Sequence, residues 1–217
     1  VGQLAALARP PRTLKPGHYR VFLTPAALGE LVEILSWGGF SFRAMRTKTT
    51  PLIRLAEEKA RLHPSVEIAE NVSGGVAPNF QAEGFIRPDR VMLVEHGQLA
   101  SCLVSPRSAA EYGVPTNGAS ASEAPTSIEL GAGGLPTDDV LARLGSGLFV
   151  SNLWYCNFSD RSACRATGMT RFATFWVENG ELAAPVNVMR FDETIYRVLG
   201  DNLVDLTSER ELILDAQ

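Results

Sequence analysis

The sequence LFVSNLWYCNFSDRSACRATGMTRFATFWVENGELAAP, residues 148–185, carries the strongest structural signals in the chain. Its apolar opening at 148–150 predicts a strand. Residues 172–177 predict a buried strand that turns at Asn179-Gly180, a dipeptide typical of tight hairpins. The polar residues 157–170 in between predict a loop. Such a loop, held by two strands, is a place where a domain positions a binding site. An ordinary long surface connection is the alternative, and the residues leave both open.

Upstream of this stretch, residues 19–23 predict a strand and two helix start signals follow. Thr24-Pro25 provides an N-cap residue with proline at the first helical position. The apolar residues Leu28, Leu31, Val32 and Leu35 then recur at helical spacing, which predicts one helix ending at Gly38-Gly39. Thr50-Pro51 repeats the start signal and predicts a second helix that continues to about His63.

A second hairpin is predicted at residues 91–104, with its turn at His96-Gly97. Residues 94–100 (VEHGQLA) repeat the pattern of residues 177–183 (VENGELA), which indicates two similar ribbons in one sheet or related by pseudo-symmetry. Short helices are predicted at 107–112 and 140–144, and further strands at 66–69, 127–130 and 186–191. Because hairpins outnumber alternating strand–helix units, we predict an α+β fold: a curved, mainly antiparallel sheet built from hairpins, with flanking helices.

Composition and charge exclude several classes of protein. The net charge is -4 and no basic stripe occurs, which argues against a nucleic-acid partner. No apolar run approaches the 18 or more residues of a membrane span, so no membrane partner is predicted, and no signal peptide opens the sequence. Three cysteines, Cys102, Cys156 and Cys164, are too few for a secreted disulfide scaffold. These observations favour a cytoplasmic protein.

Motif searches predict no catalytic residue. The chain contains no G-x-S-x-G elbow and no H-E-x-x-H motif, and its three histidines lie near no matched serine or cysteine. The glycine-rich residues 131–134 precede no Gly-Lys-Ser/Thr, so they do not form a phosphate-binding loop. Cys156 and Cys164 have no neighbouring histidine and do not match a zinc-ligand pattern.

Several short motifs, in their order and spacing, resemble the C-terminal domain of the TldD/PmbA family, which is classed with the metallopeptidases. They are FQAEG at 80–84, SPRSAA at 105–110, PTNG at 115–118, GSGL at 145–148, TG at 167–168, FWVENGE at 175–181 and LGDNL at 199–203. The resemblance implies a domain at 18–217 that residues 1–17 join as a linker or lead-in segment. It also implies an N-terminal domain and an extreme C-terminal segment that this sequence lacks.

The resemblance further implies a cytoplasmic assembly of two subunits that encloses a chamber and cuts short, unfolded peptides. The active branch carries H-E-x-x-x-H on the helix before Gly39 and a cysteine near the chain's end. Here Glu33, Ile34 and Gly38 stand at the motif positions and Leu212 stands near the cysteine's place. Isoleucine can neither ligate zinc nor activate water. The chain therefore resembles the metal-free PmbA (TldE-like) branch, with no cofactor of its own and zinc expected only in a partner subunit.

On this basis we expect a metal-free subunit that binds a homologous TldD-like subunit, or a second copy of itself, together with unfolded peptide. It is not expected to be catalytic alone. The alternatives are an autonomous zinc metallopeptidase with ligands outside this chain and a non-proteolytic binding module. We predict that the loop at 157–171 forms the interaction site, with these polar residues: Asn157, Asp160, Arg161, Arg165, Thr167 and Arg171.

Arginine suits this role because its planar fork can bind a carboxylate through two hydrogen bonds. An extended peptide could instead pair with an exposed strand edge beside the loop. A purely structural role is also open, in which Asp160 and the arginines satisfy one another as solvated pairs worth roughly 0–1 kcal/mol.

Overall fold

Two β-sheets and a set of short helices make up the fold, which confirms the predicted α+β class. The computed structural model describes residues 2–214, with the backbone alone for residues 2, 3 and 5. The helices are α1 (Gly2–Leu7), α2 (Pro25–Ser36), α3 (Phe42–Arg46), α4 (Ile53–Ala56), α5 (Pro106–Tyr112) and α6 (Val140–Leu144). The strands are β1 (Val21–Leu23), β2 (Ile68–Asn71), β3 (Arg90–Glu95), β4 (Gln98–Leu99), β5 (Ile128–Leu130), β6 (Gly147–Asp160), β7 (Arg165–Glu178), β8 (Glu181–Pro185) and β9 (Arg190–Thr194).

The larger sheet has the order β1-β6-β7-β8, and β9 also pairs with β7. The β1–β6 pair is parallel, and the other pairs are antiparallel. The smaller sheet is antiparallel, in the order β4-β3-β2-β5. One hydrophobic core joins both sheets and α2, and its buried members include Leu31, Leu35, Ile68, Leu93, Leu148 and Val150.

The two similar hairpins lie in different sheets, one in each. His96 and Gly97 have φ angles of 48° and 73°, and Asn179 and Gly180 have 53° and 77°. A two-residue turn with both φ values positive matches the right-handed twist of its strands, and Asn-Gly adopts it readily. The predicted hairpin turns are therefore confirmed.

Helix α2 follows the predicted start signal. The Oγ1 of Thr24 accepts a hydrogen bond from the Ala27 N–H at 3.3 Å, and Pro25 occupies the first turn. The helix buries Leu31, Ile34 and Leu35 and packs against β6. Its axis therefore positions the segment around Trp37 beside the far end of β6.

The second predicted helix is much shorter than expected. Only Ile53–Ala56 is helical there, and Glu58 takes a left-handed φ of 55° that ends the helix. The Leu62 N–H then donates to the Gly97 carbonyl at 2.9 Å, so the segment joins the hairpin of the smaller sheet. Leu62 is buried by that tertiary contact and not by a helical stripe. An unpredicted helix, α3, begins after the Ser41 cap.

Residues 1–17, which the sequence predicts to be a linker, contain α1 and a segment docked on β8. The Arg12 N–H donates to the Pro185 carbonyl at 2.7 Å, and the Arg9 guanidinium donates to the carbonyls of Leu182 and Ala183 at 3.0 and 2.8 Å. The predicted domain boundary at residue 18 stays a prediction. The strand predicted at 186–191 instead begins at Arg190. Among residues 2–214, every helix falls short of what is needed to span a bilayer.

Candidate functional site

The predicted loop at 157–170 is wrong: these residues form the outer half of a long hairpin. Strands β6 and β7 have 14 residues each and are joined by residues 161–164. The alternation typical of a strand is present at the start of β7, but its inward members are small: Cys164, Ala166, Gly168 and Thr170 are all buried. Because bulky apolar residues are missing from this pattern, it predicted a polar loop where the structure has a strand.

Three register shifts interrupt the pairing of β6 with β7, near Ser151, Tyr155 and Ser159. At two of them an aromatic residue adopts a left-handed backbone, with φ of 57° at Tyr155 and 56° at Phe172. A bulky residue with positive φ is an outlier, and a β-bulge bends its strand and redirects a side chain. The middle of the hairpin is therefore bent, and it presents aromatic residues at strained positions.

At the hairpin tip, which we define as residues 156–168, Asp160 and Arg161 serve internal contacts. The Oδ1 of Asp160 accepts hydrogen bonds from the Ser162 hydroxyl at 2.7 Å and the Ala163 N–H at 3.1 Å, and these lower the pKa of Asp160. The Arg161 guanidinium donates to the carbonyls of Trp37 and Thr49. Arg161 therefore fastens the tip to the C-terminal end of α2.

The remaining predicted residues of the tip also have partners within the fold. Arg165 pairs with Asp192 at 3.2 Å. The Thr167 hydroxyl donates to the Phe191 carbonyl at 2.8 Å and accepts from Arg190 Nε at 3.0 Å. The Oδ1 of Asn157 accepts from the backbone N–H of the next residue at 2.7 Å. Whether any of these side chains binds a partner stays a prediction.

Arg171, the last predicted residue, lies apart from the tip and opposite Asn152 in the middle of the hairpin. Its guanidinium carbon lies 3.8 Å from the Trp154 ring centroid and 5.2 Å from that of Phe172. No hydrogen bond or ion pair joins its guanidinium to another group of residues 2–214. The arginine is thus held by stacking, while its hydrogen-bond donors stay free.

Exposed apolar side chains surround Arg171. Tyr155 exposes 74% of its surface, Phe172 71%, Trp154 48% and Met169 36%. The Trp154 and Tyr155 ring centroids are 5.7 Å apart. We call these four residues, together with Arg171, the bulge patch. The prediction included Arg171 and missed its aromatic neighbours. The adjacent Trp154-Tyr155 pair was the available signal, since two neighbouring residues of a strand cannot both face the core.

The positions of the degenerate metal motif do not fit a zinc ion. Ile34 is 2% exposed and packs in the hydrophobic core. The Oε1 of Glu33 accepts from the Ser36 hydroxyl at 2.9 Å, and Gly38, with a φ of 87°, offers no side chain. Residues 2–214 contain no group of three or more His, Cys, Asp or Glu side chains that could hold a metal. These positions therefore supply no zinc ligand set of their own.

The cysteines of the described chain are poor nucleophiles. Burial raises the pKa of Cys102 to about 11, and the negative charge of Glu123 adds to this shift. Burial likewise raises the pKa of Cys156 to about 11, and the negative charge of Glu30 adds to this shift. Burial raises the pKa of Cys164 to about 12. A thiol with so high a pKa carries almost no thiolate near neutral pH, and the thiolate is the reactive form. None of the three is suited to covalent catalysis.

Comparison with known proteins gives one family match. Residues 16–215 match the family described as the PmbA/TldA metallopeptidase C-terminal domain. No curated protein matches the chain.

Solved structures share the fold. A candidate modulator of a DNA gyrase from Thermotoga maritima has a TM-score of 0.73 and 20% identity, over 88% of this chain and 45% of that one. TldE from Thermococcus kodakarensis has a TM-score of 0.70 and 16% identity, and the match covers 91% of this chain and 46% of that one. A candidate modulator of DNA gyrase from Bacteroides thetaiotaomicron has a TM-score of 0.67 and 18% identity, and the match covers 88% of this chain and 42% of that one. At these identities the likeness shows the fold alone, and the chain spans less than half of each relative's length.

Proposed function

The chain belongs to the family of PmbA/TldA metallopeptidase C-terminal domains, and from this premise we propose that it acts as the metal-free subunit of a two-subunit peptidase assembly. In this role it binds a homologous TldD-like subunit and short, unfolded peptides, and the partner subunit supplies the zinc and cuts the bond. The assembly is proposed to act in the cytoplasm.

The observation that carries the proposal is the chemistry of the motif positions on α2. A zinc peptidase needs nitrogen, oxygen or sulfur ligands and a carboxylate to activate water. At these positions the chain offers a buried Ile34 and a glycine, and the carboxylate of Glu33 points to the neighbouring Ser36 hydroxyl. Rebuilding a site here would place polar ligands in the core that α2 forms with β6. A residue that fills the core is suited to hold the fold and not to catalyse hydrolysis.

The proposal is tested with the full-length protein that contains this chain. We expect it to co-purify with a subunit that carries H-E-x-x-x-H, and we expect the protein alone to contain well under one equivalent of zinc. Peptide hydrolysis should appear with the partner present and disappear when that subunit's motif glutamate is changed to glutamine.

Two results would overturn the proposal. Near-stoichiometric zinc in the protein alone, with peptidase activity that a chelator removes, would favour an autonomous metallopeptidase with ligands outside this chain. Failure to bind either a subunit carrying that motif or any unfolded peptide would favour a binding module unrelated to proteolysis. In both cases the assignment of a non-catalytic subunit fails.

A further inference from the structure

We propose that the bulge patch is a docking site for an extended acidic peptide segment, with Arg171 binding a carboxylate of that segment. This inference rests on the proposed function, since it specifies the chemistry of the peptide that the subunit takes. It moves the binding site from the hairpin tip to the bent middle of the same hairpin.

The first argument is the state of the guanidinium. Arg171 is half-buried, and its guanidinium carbon lies 3.8 Å from the Trp154 ring centroid and 5.2 Å from that of Phe172. These ring contacts hold the guanidinium in place, and no group of residues 2–214 accepts a hydrogen bond from it, so its donors can bind a carboxylate through two parallel hydrogen bonds. Little side-chain entropy is then lost on binding, because the arginine is already ordered.

The second argument is charge complementarity. Of the three arginines in β6, β7 and their turn, Arg161 donates to two backbone carbonyls and Arg165 pairs with Asp192. Arg171 has no anionic partner in residues 2–214, and the other members of the bulge patch carry no charge. The surface is therefore one cation set in exposed aromatic and apolar side chains, and its complement is an anion on an apolar or extended chain.

The third argument is the backbone. Tyr155 and Phe172 both hold a left-handed conformation at bulges, and both expose most of their ring. A left-handed conformation is unfavourable for a residue other than glycine. Tyr155 is 74% exposed and Phe172 71%, so burial of their rings contributes little to offset this cost. Strained residues of this kind cluster at binding sites, where bulges aim side chains. Aromatic rings of low conformational entropy are also enriched in binding surfaces.

A polypeptide fits these features better than a nucleic acid. Aromatic rings beside an arginine can also stack on bases, but phosphate binding draws on several cations and the chain carries a net charge of -4. An acidic peptide needs one cation for its carboxylate together with apolar contacts, and the patch offers both. Single-stranded DNA is accordingly the competing ligand to be tested.

The experiment measures binding of a fluorescent, unstructured decapeptide with two glutamates by anisotropy, beside the same peptide with glutamines. In the full chain, Arg171→Met keeps the apolar stem and removes the fork. Arg165→Met removes an exposed arginine of the same hairpin and is the matched control. We expect Arg171→Met to weaken binding of the glutamate peptide roughly tenfold and to abolish the preference for it over the glutamine peptide, because the charge-assisted hydrogen bonds from the guanidinium to the carboxylate are lost. Arg165→Met should change neither.

Three results would overturn the inference. They are equal binding of the two peptides by the unchanged protein, equal losses in the two variants, and tighter binding of an oligo-dT strand than of the glutamate peptide. Thermal unfolding checks that Arg171→Met remains folded, and Trp154→Ala gives a second variant that should also weaken the glutamate peptide.

Different results would contradict this inference and the proposed function. If Arg171→Met loses the TldD-like subunit while the peptide preference is unchanged, the bulge patch is the subunit contact. The acidic-peptide site is then wrong and the proposed function stands. If no such subunit is captured by the unchanged protein, the proposed function fails whatever the peptide result.

Discussion

The hairpin tip and the bulge patch belong to the same pair of strands and differ in how their polar groups are satisfied. At the tip, charged side chains such as Asp160, Arg161 and Arg165 have partners within the fold. In the middle, the Arg171 guanidinium lies over two aromatic rings and has no anionic partner in the described chain. The difference teaches that a polar sequence predicts an exposed surface, while the tertiary structure decides which of its charged groups have internal partners.

The tip also packs tightly, whereas the patch is open. Gly168 lies under Phe191 and Cys156, so the strands approach closely there. Tyr155 and Phe172 instead turn most of their rings to solvent. Substitutions at the tip should therefore change stability, and substitutions in the patch should change binding. Four predictions test that contrast, beginning with the largest effect on stability.

Gly168→Ala should destabilise the protein by about 1–3 kcal/mol, the usual cost of overpacking. An added Cβ would lie 2.7 Å from Phe191 Cε1 and 2.8 Å from Cys156 Sγ, so a ring or a strand must move. Chemical denaturation measures the loss. Gly134→Ala is the control, because an added Cβ there has no neighbour within 4 Å. If both variants are equally stable, the tip is not tightly packed and the contrast fails.

Arg161→Ala should destabilise the protein by about 1–2 kcal/mol, because hydrogen bonds to a charged donor are lost at the end of α2. Its guanidinium donates to the Trp37 and Thr49 carbonyls. Arg165→Ala breaks a solvent-exposed pair and should cost at most about 1 kcal/mol. Thermal melts compare the two. Both variants should keep the affinity of the unchanged protein for the glutamate peptide. A loss of affinity with unchanged stability would indicate that the peptide binds at the hairpin tip.

Phe172→Asn should stabilise the protein by about 0.5–1 kcal/mol while weakening peptide binding. Asparagine adopts the left-handed conformation more readily than phenylalanine, and the lost ring is largely exposed. Phe172→Leu keeps the strained backbone and should bring no gain. Urea denaturation beside the anisotropy assay gives both quantities. A marked destabilisation by asparagine would mean that the Phe172 ring stabilises the fold, and that the bulge patch, like the tip, contributes to stability.

Asp160 should titrate below its ordinary pKa of 3.8, since bonds from the Ser162 hydroxyl and the Ala163 N–H favour its ionised form. A depressed pKa in the folded state gives stability that is present above the unfolded-state pKa and lost as pH falls through the folded-state pKa. The contribution is therefore fully present at neutral pH, and it is lost in the acid range below 3.8. Carboxyl NMR should show Ser162→Ala moving the pKa of Asp160 upward. An unchanged pKa would show that the Ser162 hydroxyl does not stabilise the ionised Asp160, which would contradict the internal pairing described for the tip.

Local sequence signals predicted the parts of the fold that neighbouring residues control. Thr24-Pro25 fixed the start of α2, and Asn179-Gly180 fixed a hairpin turn, because capping and positive φ depend on one or two residues. The end of α4 was not predictable in this way. Glu58 adopts a left-handed φ of 55° just after α4. The Leu62 N–H then pairs with the Gly97 carbonyl, 35 residues further along the chain, so a tertiary contact and not a helical stripe buries Leu62.

Of the candidate site, the sequence could indicate residue types but not their state. From the sequence, the six predicted polar residues of the hairpin could not be distinguished by whether they have internal partners. In the folded chain five of them have internal partners, which lie in the hairpin itself, just after α2, at Thr49 or in β9, whereas Arg171 lies over two aromatic rings. Tyr155 and Phe172 were missed because a bulge depends on how two strands match, and that match is a property of the pair.

By itself, the sequence determined the family, the α+β class and the replacement of the H-E-x-x-x-H motif by Glu33, Ile34 and Gly38, since each of these depends on which side chains are present. Only the tertiary structure decided which arginines of this hairpin have a hydrogen-bonded partner among residues 2–214. A guanidinium is paired according to the acceptors within hydrogen-bond distance, and those acceptors lie just after α2, at Thr49 and in β9, whereas Arg171 meets only aromatic rings.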